Sequence, residues 1–299
     1  MSVIEVQLFY IEDEGSIIEK VLPGLEANQS VNKRSLLETC ISSIKRTNPN
    51  VEITFLTNSN TKFHHGIKEI QSIETDDIKP DTLVYDLNVF RRNYIEANKN
   101  TNKKVFFTDI DVLINCDLAP LFDENFDIQV SIDKNASHPM NSHGLPENNL
   151  FFRFTGGGFF ATCNERSLSF FDDYLALWEH LYNTDSFQSY GSIGPDVKKN
   201  FFRWWGEIHT FCVMAGPDVL GGKKNKDVIS TCKFNFLDED VYNFAPSSRE
   251  LLETFGLPDL EAAHYHLLKI ADDLKEKKII HFRGTRKIFM EEIYKRLHT

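Results

Sequence analysis

The most informative stretch of the chain lies at residues 105–118 and reads VFFTDIDVLINCDL. Its first residues are β-branched and aromatic without helical spacing, which predicts a buried strand ending just before Asp109. Side chains alternate along an extended chain, so Asp109 and Asp111 are expected on the same side. Two close carboxylates repel each other, and a divalent cation is the usual way to keep both ionised. The stretch therefore predicts half of a metal site at a sheet edge, suited to Mn²⁺ or Mg²⁺.

The same triplet has a simpler interpretation, because Asp-x-Asp also occurs by chance in surface turns rich in aspartate. Here the triplet lies between an apolar strand and a second apolar run, Val112 to Ile114. Acidic residues enclosed in this way are costly to bury without a partner. The context therefore favours a ligand-binding role over a solvated turn.

Composition predicts a globular protein and limits its partners. The chain has 299 residues, 41% of them hydrophobic, which is enough for one large α/β domain with a sizeable core. Its net charge of −11 argues against a general binder of nucleic acid or anionic membranes. We find no run near the ~18 apolar residues of a membrane span and no signal-peptide pattern. The five cysteines form no CxxC pair, which predicts reduced thiols in a cytoplasmic protein and no zinc site.

The rest of the chain alternates strand and helix patterns, which is typical of a parallel sheet. Strands are predicted at residues 2–11, 51–58, 126–132, 152–162, 208–214 and 228–236, and helices at 34–47, 83–97, 166–182, 259–277 and 288–297. Two polar segments, 12–33 and 59–82, predict loops, with a short helix in the first and a short strand in the second.

Two further stretches carry candidate ligand contacts. Three consecutive glycines at residues 156–158 interrupt an apolar strand pattern, and they make sense where a ligand or another chain approaches the backbone. No GK[ST] follows them, so they are not a P-loop. Near the C-terminus a strand delivers His281, followed by Gly284 and Lys287. A neutral His is a good ligand for Mn²⁺, a Gly lets the backbone approach a phosphate, and a Lys neutralises its charge.

Two kinds of protein end a strand in Asp-x-Asp. In haloacid-dehalogenase-like phosphatases the first Asp is the nucleophile and the second the general acid, which here would be Asp109 and Asp111. In GT-A glycosyltransferases both residues serve a metal bound to a nucleotide-sugar. The phosphatase nucleophile usually opens the fold, whereas two βα units precede Asp109, and the required second acidic pair, Asp272-Asp273, lies in a charged helical pattern. A catalytically silent nucleotide-sugar-binding module on the same fold stays open as a third class.

Three separated stretches resemble glycosyltransferase family 8, the family of glycogenin and bacterial galactosyltransferases. FFTDIDVLINCDLAPLFD at 106–123 resembles the family's DxD segment, and HFRGTRK at 281–287 resembles its HxxGxxK motif. The stretch GGGFFA lies where the family has a glycine-containing strand. The order and separation of these motifs fit, and the resemblance spans about residues 30–290.

The resemblance implies a single GT-A α/β domain over residues 1–299, with a mostly parallel central sheet and flanking helices. Residues 1–125 would form the nucleotide-binding half, and residues 126–299 the acceptor-binding half with the C-terminal motif. It further implies metal-dependent transfer of a hexose from a nucleotide-sugar, with UDP as the expected nucleotide, and retention at the anomeric carbon. The acceptor, whether glycan, lipid, protein or small molecule, is left open.

The resemblance also implies roles for single residues. Asp109, Asp111 and His281 would hold Mn²⁺ or Mg²⁺, with Asp109 shared between the metal and the ribose. Gly284 and Lys287 would contact the diphosphate.

Four weaker candidates complete the predicted site. Arg91 or Arg92, on the helix before the acidic strand, would contact the donor, although solvated helix arginines fit the pattern equally well. Asp196 would lie close to the reacting sugar, as the candidate catalytic carboxylate. Tyr10, at the end of the first strand, is a candidate for stacking on the base, although an aromatic there is more often part of the core.

Overall fold

The structure of the chain is a computed structural model. It describes residues 4–11, 18–20, 30–62, 71–75, 78, 82–132, 156–183, 202, 206–208, 210–211, 232–246 and 272–298. Within these ranges no helix is long and apolar enough to cross a membrane.

The secondary structure alternates strands with helices along the chain. The strands are β1 (Ile4–Phe9), β2 (Ile18–Lys20), β3 (Ser30–Asn32), β4 (Glu52–Thr57), β5 (Gln71–Glu74), β6 (Lys104–Thr108), β7 (Val112–Ile114), β8 (Ile128–Ile132), β9 (Gly158–Thr162), β10 (Phe234–Asp238) and β11 (Ile279–His281). The α-helices are α1 (Lys33–Thr47), α2 (Leu83–Asn98), α3 (Glu165–Asn183), α4 (Glu239–Tyr242) and α5 (Met290–His298). Short 3₁₀ helices cover Ala119–Phe122, Asp273–Glu276 and Gly284–Phe289.

A seven-stranded sheet carries the fold, in the order β10-β8-β9-β6-β1-β4-β5. Strands β4 and β5 pair in parallel, as do β8 and β10, whereas β9 runs antiparallel to β8. Two small antiparallel pairs lie outside it, β7 with β11 and β2 with β3. The predicted α/β fold with a mostly parallel central sheet is therefore confirmed.

The chain divides into two compact units, each built from separate segments. Unit 1 comprises residues 1–5, 75–107 and 122–238, and unit 2 comprises residues 6–74, 108–121 and 239–299. Each unit takes segments from both sides of residue 125.

In unit 1 an aromatic core fills the space between helices α2 and α3 and their strands. Its largest buried side chains are Phe107, Phe159, Phe170, Phe171, Tyr174 and Phe211. Several of the rings meet edge to face, an arrangement that the electrostatics of aromatic rings favour. These phenylalanine side chains therefore serve the packing of unit 1.

In unit 2 the polar side chains of helix α1 hold the short strand β7. Ser43 Oγ accepts a hydrogen bond from Ile114 N at 3.1 Å, and Thr47 Oγ1 donates to Ile114 O at 3.1 Å. Asn48 continues the pattern, since its amide donates to Cys116 O at 2.9 Å and accepts from Leu118 N at 2.7 Å. Backbone groups that lack a second strand partner are satisfied in this way. The turn that follows the acidic triplet is therefore fixed to a helix.

Most predicted elements are present among the described residues, and two predictions are wrong. Residues 12–33 were expected to be loop and helix, but two segments of them pair as β2 and β3. The strand expected at 208–214 is helical at the described residues 208, 210 and 211. Ile208 and Phe211 both pack on the aromatic core, and their spacing of three puts them on one helical face. Residues 259–271 of the helix expected at 259–277 lie outside the described residues, and the described remainder contains the 3₁₀ helix Asp273–Glu276.

Candidate metal centre

Three side chains of unit 2 meet just beyond the end of strand β6. Ligand atoms of Asp109, Asp111 and His281 all lie within 4.8 Å of one another. Asp109 is half-buried, whereas Asp111 and His281 are each 6% exposed. The two carboxylates predicted to share one side of the chain therefore do meet, and the predicted histidine joins them.

The pairing of β11 with β7 brings His281 to the acidic pair. In this antiparallel pair His281 lies opposite Val112, the residue that follows Asp111. Phe282 N donates a hydrogen bond to Asp111 O at 2.8 Å, which ties the two backbones together at this point. This register leaves His281 one position from Asp111 across the ladder, and the imidazole Nε2 lies 3.4 Å from the carboxylate Oδ1.

Asp111 lies between two cationic or potentially cationic groups. Lys287 Nζ is 3.2 Å from its Oδ2, and His281 Nε2 is 3.4 Å from its Oδ1. Burial raises the pKa of this carboxyl group, but the electrostatic attraction of its neighbours His281 and Lys287 outweighs burial and holds the pKa below its ordinary value. Asp111 is consequently an anion at neutral pH.

One oxygen of this carboxylate is a buried acceptor without a hydrogen bond. Asp111 Oδ1 is shielded from solvent, and no donor meets hydrogen-bond distance and angle to it. A buried charged acceptor without a hydrogen bond costs free energy of folding. A bound ion that the acceptor coordinates is a common reason for such an atom. Two carboxylates and an imidazole are ligands that Mn²⁺ accepts, and the oxygens also suit Mg²⁺. The residues present therefore fit the predicted cation.

The C-terminal motif surrounds His281 with basic groups. Gly284 opens a 3₁₀ helix, and Lys287 within it points its ammonium at Asp111. Arg283 Nε donates to His281 Nδ1 at 3.2 Å, and its Nη2 lies 3.4 Å from Glu239 Oε1. Arg283 and Glu239 were not among the predicted site residues. Arg283 had a signal, since it lies inside the motif, whereas Glu239 had none.

A buried thiol lies beneath the acidic pair. Cys40, on helix α1, is fully buried, and burial raises its pKa, as do the charges of Asp111 and Asp109. The thiol is therefore neutral and acts as packing on this side of the cluster. The sequence around Cys40 gives no signal for the site, because only the packing of α1 against β7 brings this residue there.

The two neighbouring arginines of helix α2 have different surroundings in unit 1. Arg91 is 6% exposed, forms an ion pair with Glu207, and donates to Asn88 Oδ1 at 3.1 Å. Its guanidinium group lies over the ring of Phe159, 5.0 Å from the centroid. Arg92 instead pairs at the surface with acidic side chains of α2 and α3. The structure thus assigns one arginine to the interior and the other to solvent, and their contact with a donor stays a prediction.

The last two predicted site residues are Tyr10 and Asp196. Tyr10 is 2% exposed, and its backbone N donates to Leu56 O at 3.0 Å. That burial is the core position which an aromatic residue at a strand end favours, and base stacking by Tyr10 stays a prediction. Asp196 lies outside the described residues.

Comparison with known proteins supports the same fold. A family model described as nucleotide-diphospho-sugar transferase matches residues 87–190. No curated protein matches the sequence significantly. Among solved structures, the glycosyltransferase GlyE of Streptococcus pneumoniae TIGR4 is similar over 100% of this chain and 61% of its own, with 14% identity and a TM-score of 0.54. The apo structure of the bifunctional glycosyltransferase WbbM is similar over 99% of this chain and 52% of its own, with 14% identity and a TM-score of 0.51.

The chain thus spans about three fifths and about half of these two structures. At such identity the similarity concerns the fold, and that fold is the predicted one. Membership of family 8 in particular stays a prediction. Residues 87–190 match a nucleotide-diphospho-sugar transferase model, and the chain has the GT-A fold of glycosyltransferases.

Proposed function

We propose that this protein is a metal-dependent glycosyltransferase that moves a hexose from a UDP-sugar to an acceptor with retention of anomeric configuration. The observation that carries the proposal is the cluster of Asp109, Asp111 and His281 in a chain of the GT-A fold. The Oδ1 of Asp111 supports it, because His281 Nε2 lies 3.4 Å away without forming a hydrogen bond to this buried oxygen, and a cation would satisfy it.

The residues of the cluster would hold the cation through two carboxylates and one imidazole. When bound, Mn²⁺ or Mg²⁺ supplies positive charge that stabilises the diphosphate as it leaves the sugar. Asp111 is suited to this role because its pKa is held below the ordinary value, so it stays ionised at neutral pH. Acidic residues that stay charged bind a divalent cation without first losing a proton.

Lys287 and Gly284 would act on the diphosphate itself. Lys287 Nζ lies 3.2 Å from Asp111 Oδ2, so its ammonium is already beside the cluster. A phosphate oxygen would be neutralised by this ammonium, and the backbone at Gly284, which opens a 3₁₀ helix, would let the phosphate approach. The remaining assignments belong to the proposal as well: Arg91 or Arg92 for the donor, Tyr10 for the base, and Asp196 for the carboxylate near the sugar.

The wider setting of the enzyme is part of the same proposal. We place it in the cytoplasm, since its five cysteines include no closely spaced pair. Its partners would be the nucleotide-sugar and an acceptor that is a glycan, a lipid, a protein or a small molecule.

A second candidate is a nucleotide-sugar-binding module without turnover. One observation favours it: Lys287 already neutralises Asp111, so a charged group other than a metal satisfies one oxygen of this carboxylate. A module of this kind would bind nucleotide without requiring Mn²⁺. The two candidates therefore differ in a property that can be measured directly.

The test is a panel of nucleotide-sugars, incubated with the purified protein and Mn²⁺ in the presence or absence of EDTA, with release of nucleoside diphosphate as the readout. Release from one UDP-sugar that EDTA abolishes would support the transferase. Calorimetry with UDP and the same sugars covers the alternative, because tight binding without release would indicate the module. If no nucleotide binds and none is released, both proposals are wrong.

A further inference from the structure

We infer that Arg283 competes with the cation for His281 and thereby sets the affinity of the metal centre. This inference rests on the proposed metal site and adds a residue to it that neither the motif nor the family match assigns. The observation behind it is the contact of Arg283 Nε with His281 Nδ1 at 3.2 Å.

The direction of this hydrogen bond follows from the chemistry of arginine. A guanidinium group only donates hydrogen bonds, because all of its nitrogens carry protons and none has a basic lone pair. His281 Nδ1 must therefore be the acceptor, which places its lone pair toward Arg283. A neutral imidazole has one protonated nitrogen, so its proton is then on Nε2, the atom that faces Asp111 Oδ1 at 3.4 Å.

In this arrangement neither nitrogen of His281 has a lone pair available to a metal. The lone pair of Nδ1 is used by Arg283, and Nε2 carries the proton. A cation bound at Nε2 requires the opposite tautomer, in which Nδ1 carries the proton and seeks an acceptor. A protonated Nδ1 and the Nε–H of Arg283 would be two donors facing each other. The contact and metal ligation by His281 are therefore mutually exclusive.

Arg283 has a partner that can hold its charge when the contact breaks. Its Nη2 lies 3.4 Å from Glu239 Oε1, and its side chain is 36% exposed. A rotation toward Glu239 would keep the guanidinium beside a carboxylate and in contact with water. The free energy of this exchange enters the apparent dissociation constant of the cation, so removal of the arginine should tighten binding.

The experiment measures Mn²⁺ binding by counting free Mn²⁺ with electron paramagnetic resonance, after EDTA treatment and dialysis of the full chain. Arg283→Met removes the donor and keeps a long side chain. We expect this variant to bind Mn²⁺ about tenfold more tightly than the wild type, the scale on which residues that orient metal ligands act. Arg296→Met is the control for charge, because Arg296 pairs with Glu292 on the exposed face of α5 and its loss should leave the affinity unchanged.

A second readout reports the tautomer directly, without metal. Long-range ¹H–¹⁵N spectra of the wild type, with His281 assigned by comparison with His281→Gln, should show the proton on Nε2. A proton on Nδ1 would overturn the inference even if the Met variant folded poorly. Equal or weaker Mn²⁺ binding by a folded Arg283→Met would overturn it too, while Mn²⁺ binding by the wild type left the proposed function standing. If neither protein bound Mn²⁺, the proposed metal site itself would be wrong, and the inference with it.

Discussion

His281 Nε2 lies 3.4 Å from Asp111 Oδ1, although more than half of the chain separates the two residues. The register of β11 on β7 places His281 opposite Val112, one residue from Asp111, and so brings the two residues to the same end of this strand pair. Both side chains are almost completely buried, so water does not screen them from each other. The side chains of the candidate site therefore interact strongly through their charges and dipoles. Substitutions in the site should affect both metal binding and stability.

Replacement of Asp111 by asparagine should lower both the Mn²⁺ affinity and the stability, and the two losses can be measured separately. Asp111→Asn keeps the volume but removes the negative charge between His281 and Lys287. We expect Mn²⁺ affinity to fall at least about tenfold. Release of nucleoside diphosphate should be lost with it. The free energy of unfolding without metal should fall by about 1–3 kcal/mol, since Lys287 loses its buried partner.

The control for this variant is Asp123→Asn, which removes the same charge from an exposed position that follows the 3₁₀ helix Ala119–Phe122. Mn²⁺ affinity and urea unfolding should both match the wild type there. If Asp111→Asn retained Mn²⁺-dependent release, Asp111 would not be a metal ligand.

The neighbouring arginines of α2 should differ strongly in their contribution to stability. Arg91→Met leaves the carboxylate of Glu207, which is mostly buried, without its ion pair. Loss of one partner from such a pair should cost about 2–4 kcal/mol in urea unfolding. Arg92→Met removes only surface pairs and should cost less than about 1 kcal/mol. Equal costs would contradict the assignment of Arg91 to the interior.

Gly158 lies where a side chain does not fit. A Cβ there would be 2.6 Å from Cε2 of Phe106 and 3.2 Å from Phe107 O. The ring of Phe106 cannot move aside easily, because it stacks on Phe160 with centroids 4.0 Å apart. Gly158→Ala should therefore destabilise the protein by about 1–3 kcal/mol, measured by urea unfolding.

Gly156 provides the matched control for this packing effect. A Cβ there would lie 3.3 Å from Cδ1 of Ile208, the flexible end of a partly buried side chain. Gly156→Ala should leave the free energy of unfolding within about 1 kcal/mol of the wild type. An equal loss in both variants would mean that backbone freedom, and not the Phe106 contact, explains the glycine at 158.

The stability of unit 1 should depend on pH through Asp127. Its carboxylate accepts two hydrogen bonds from Arg166, at 2.7 and 2.8 Å, and others from Lys233 N and Asn164. Burial raises the pKa of Asp127, but these hydrogen bonds outweigh it, so the folded-state pKa lies below the ordinary 3.8. Because the pKa of Asp127 is lower in the folded state than in the unfolded state, the ionised carboxylate stabilises the fold at pH values above the unfolded-state pKa. This contribution is lost as the pH falls through the folded-state pKa.

Urea unfolding of the wild type and of Asp127→Asn between pH 6 and pH 3 measures this contribution. At pH 6 the variant should be less stable by about 2–4 kcal/mol, because a buried amide cannot replace four charge-assisted acceptor contacts. Below pH 3.8 the difference should shrink. A difference that stays constant across this range would show that Asp127 is not the titrating group.

The turn after the acidic triplet should depend on Asn48. Its side chain satisfies Cys116 O and Leu118 N, two backbone groups of a buried turn. Asn48→Ala leaves both without a protein partner, so we expect a loss of about 2–4 kcal/mol. Ser42→Ala is a suitable control, since its hydroxyl bonds only within α1, to Glu38 O, and its loss should cost less than about 1 kcal/mol. A small loss for Asn48→Ala would mean that water replaces the amide.

The local sequence pattern was sufficient to predict those helices and strands whose formation depends on residues near in sequence. Helices α1, α2 and α3 follow from apolar residues at helical spacing, and the buried strand β6 follows from its continuous apolar run. The strand prediction at 208–214 was wrong because the apolar residues there fit both a strand and a helix. Packing of Phe211 on the aromatic core favours the helix. Short apolar runs are ambiguous for this reason.

The composition of the candidate site was predicted, but its arrangement was not. The two sequence motifs predicted Asp109, Asp111 and His281 as one set, because the ligand chemistry of these side chains follows from residue type alone. The burial of Asp111, its pair with Lys287 and the contact of Arg283 with His281 have no sequence signal. They depend on backbone hydrogen bonds between β7 and β11, whose register is fixed by contacts across the sheet. The chain therefore specifies which groups are available, and the pairing of distant strands determines their distances, their protonation and their access to a metal.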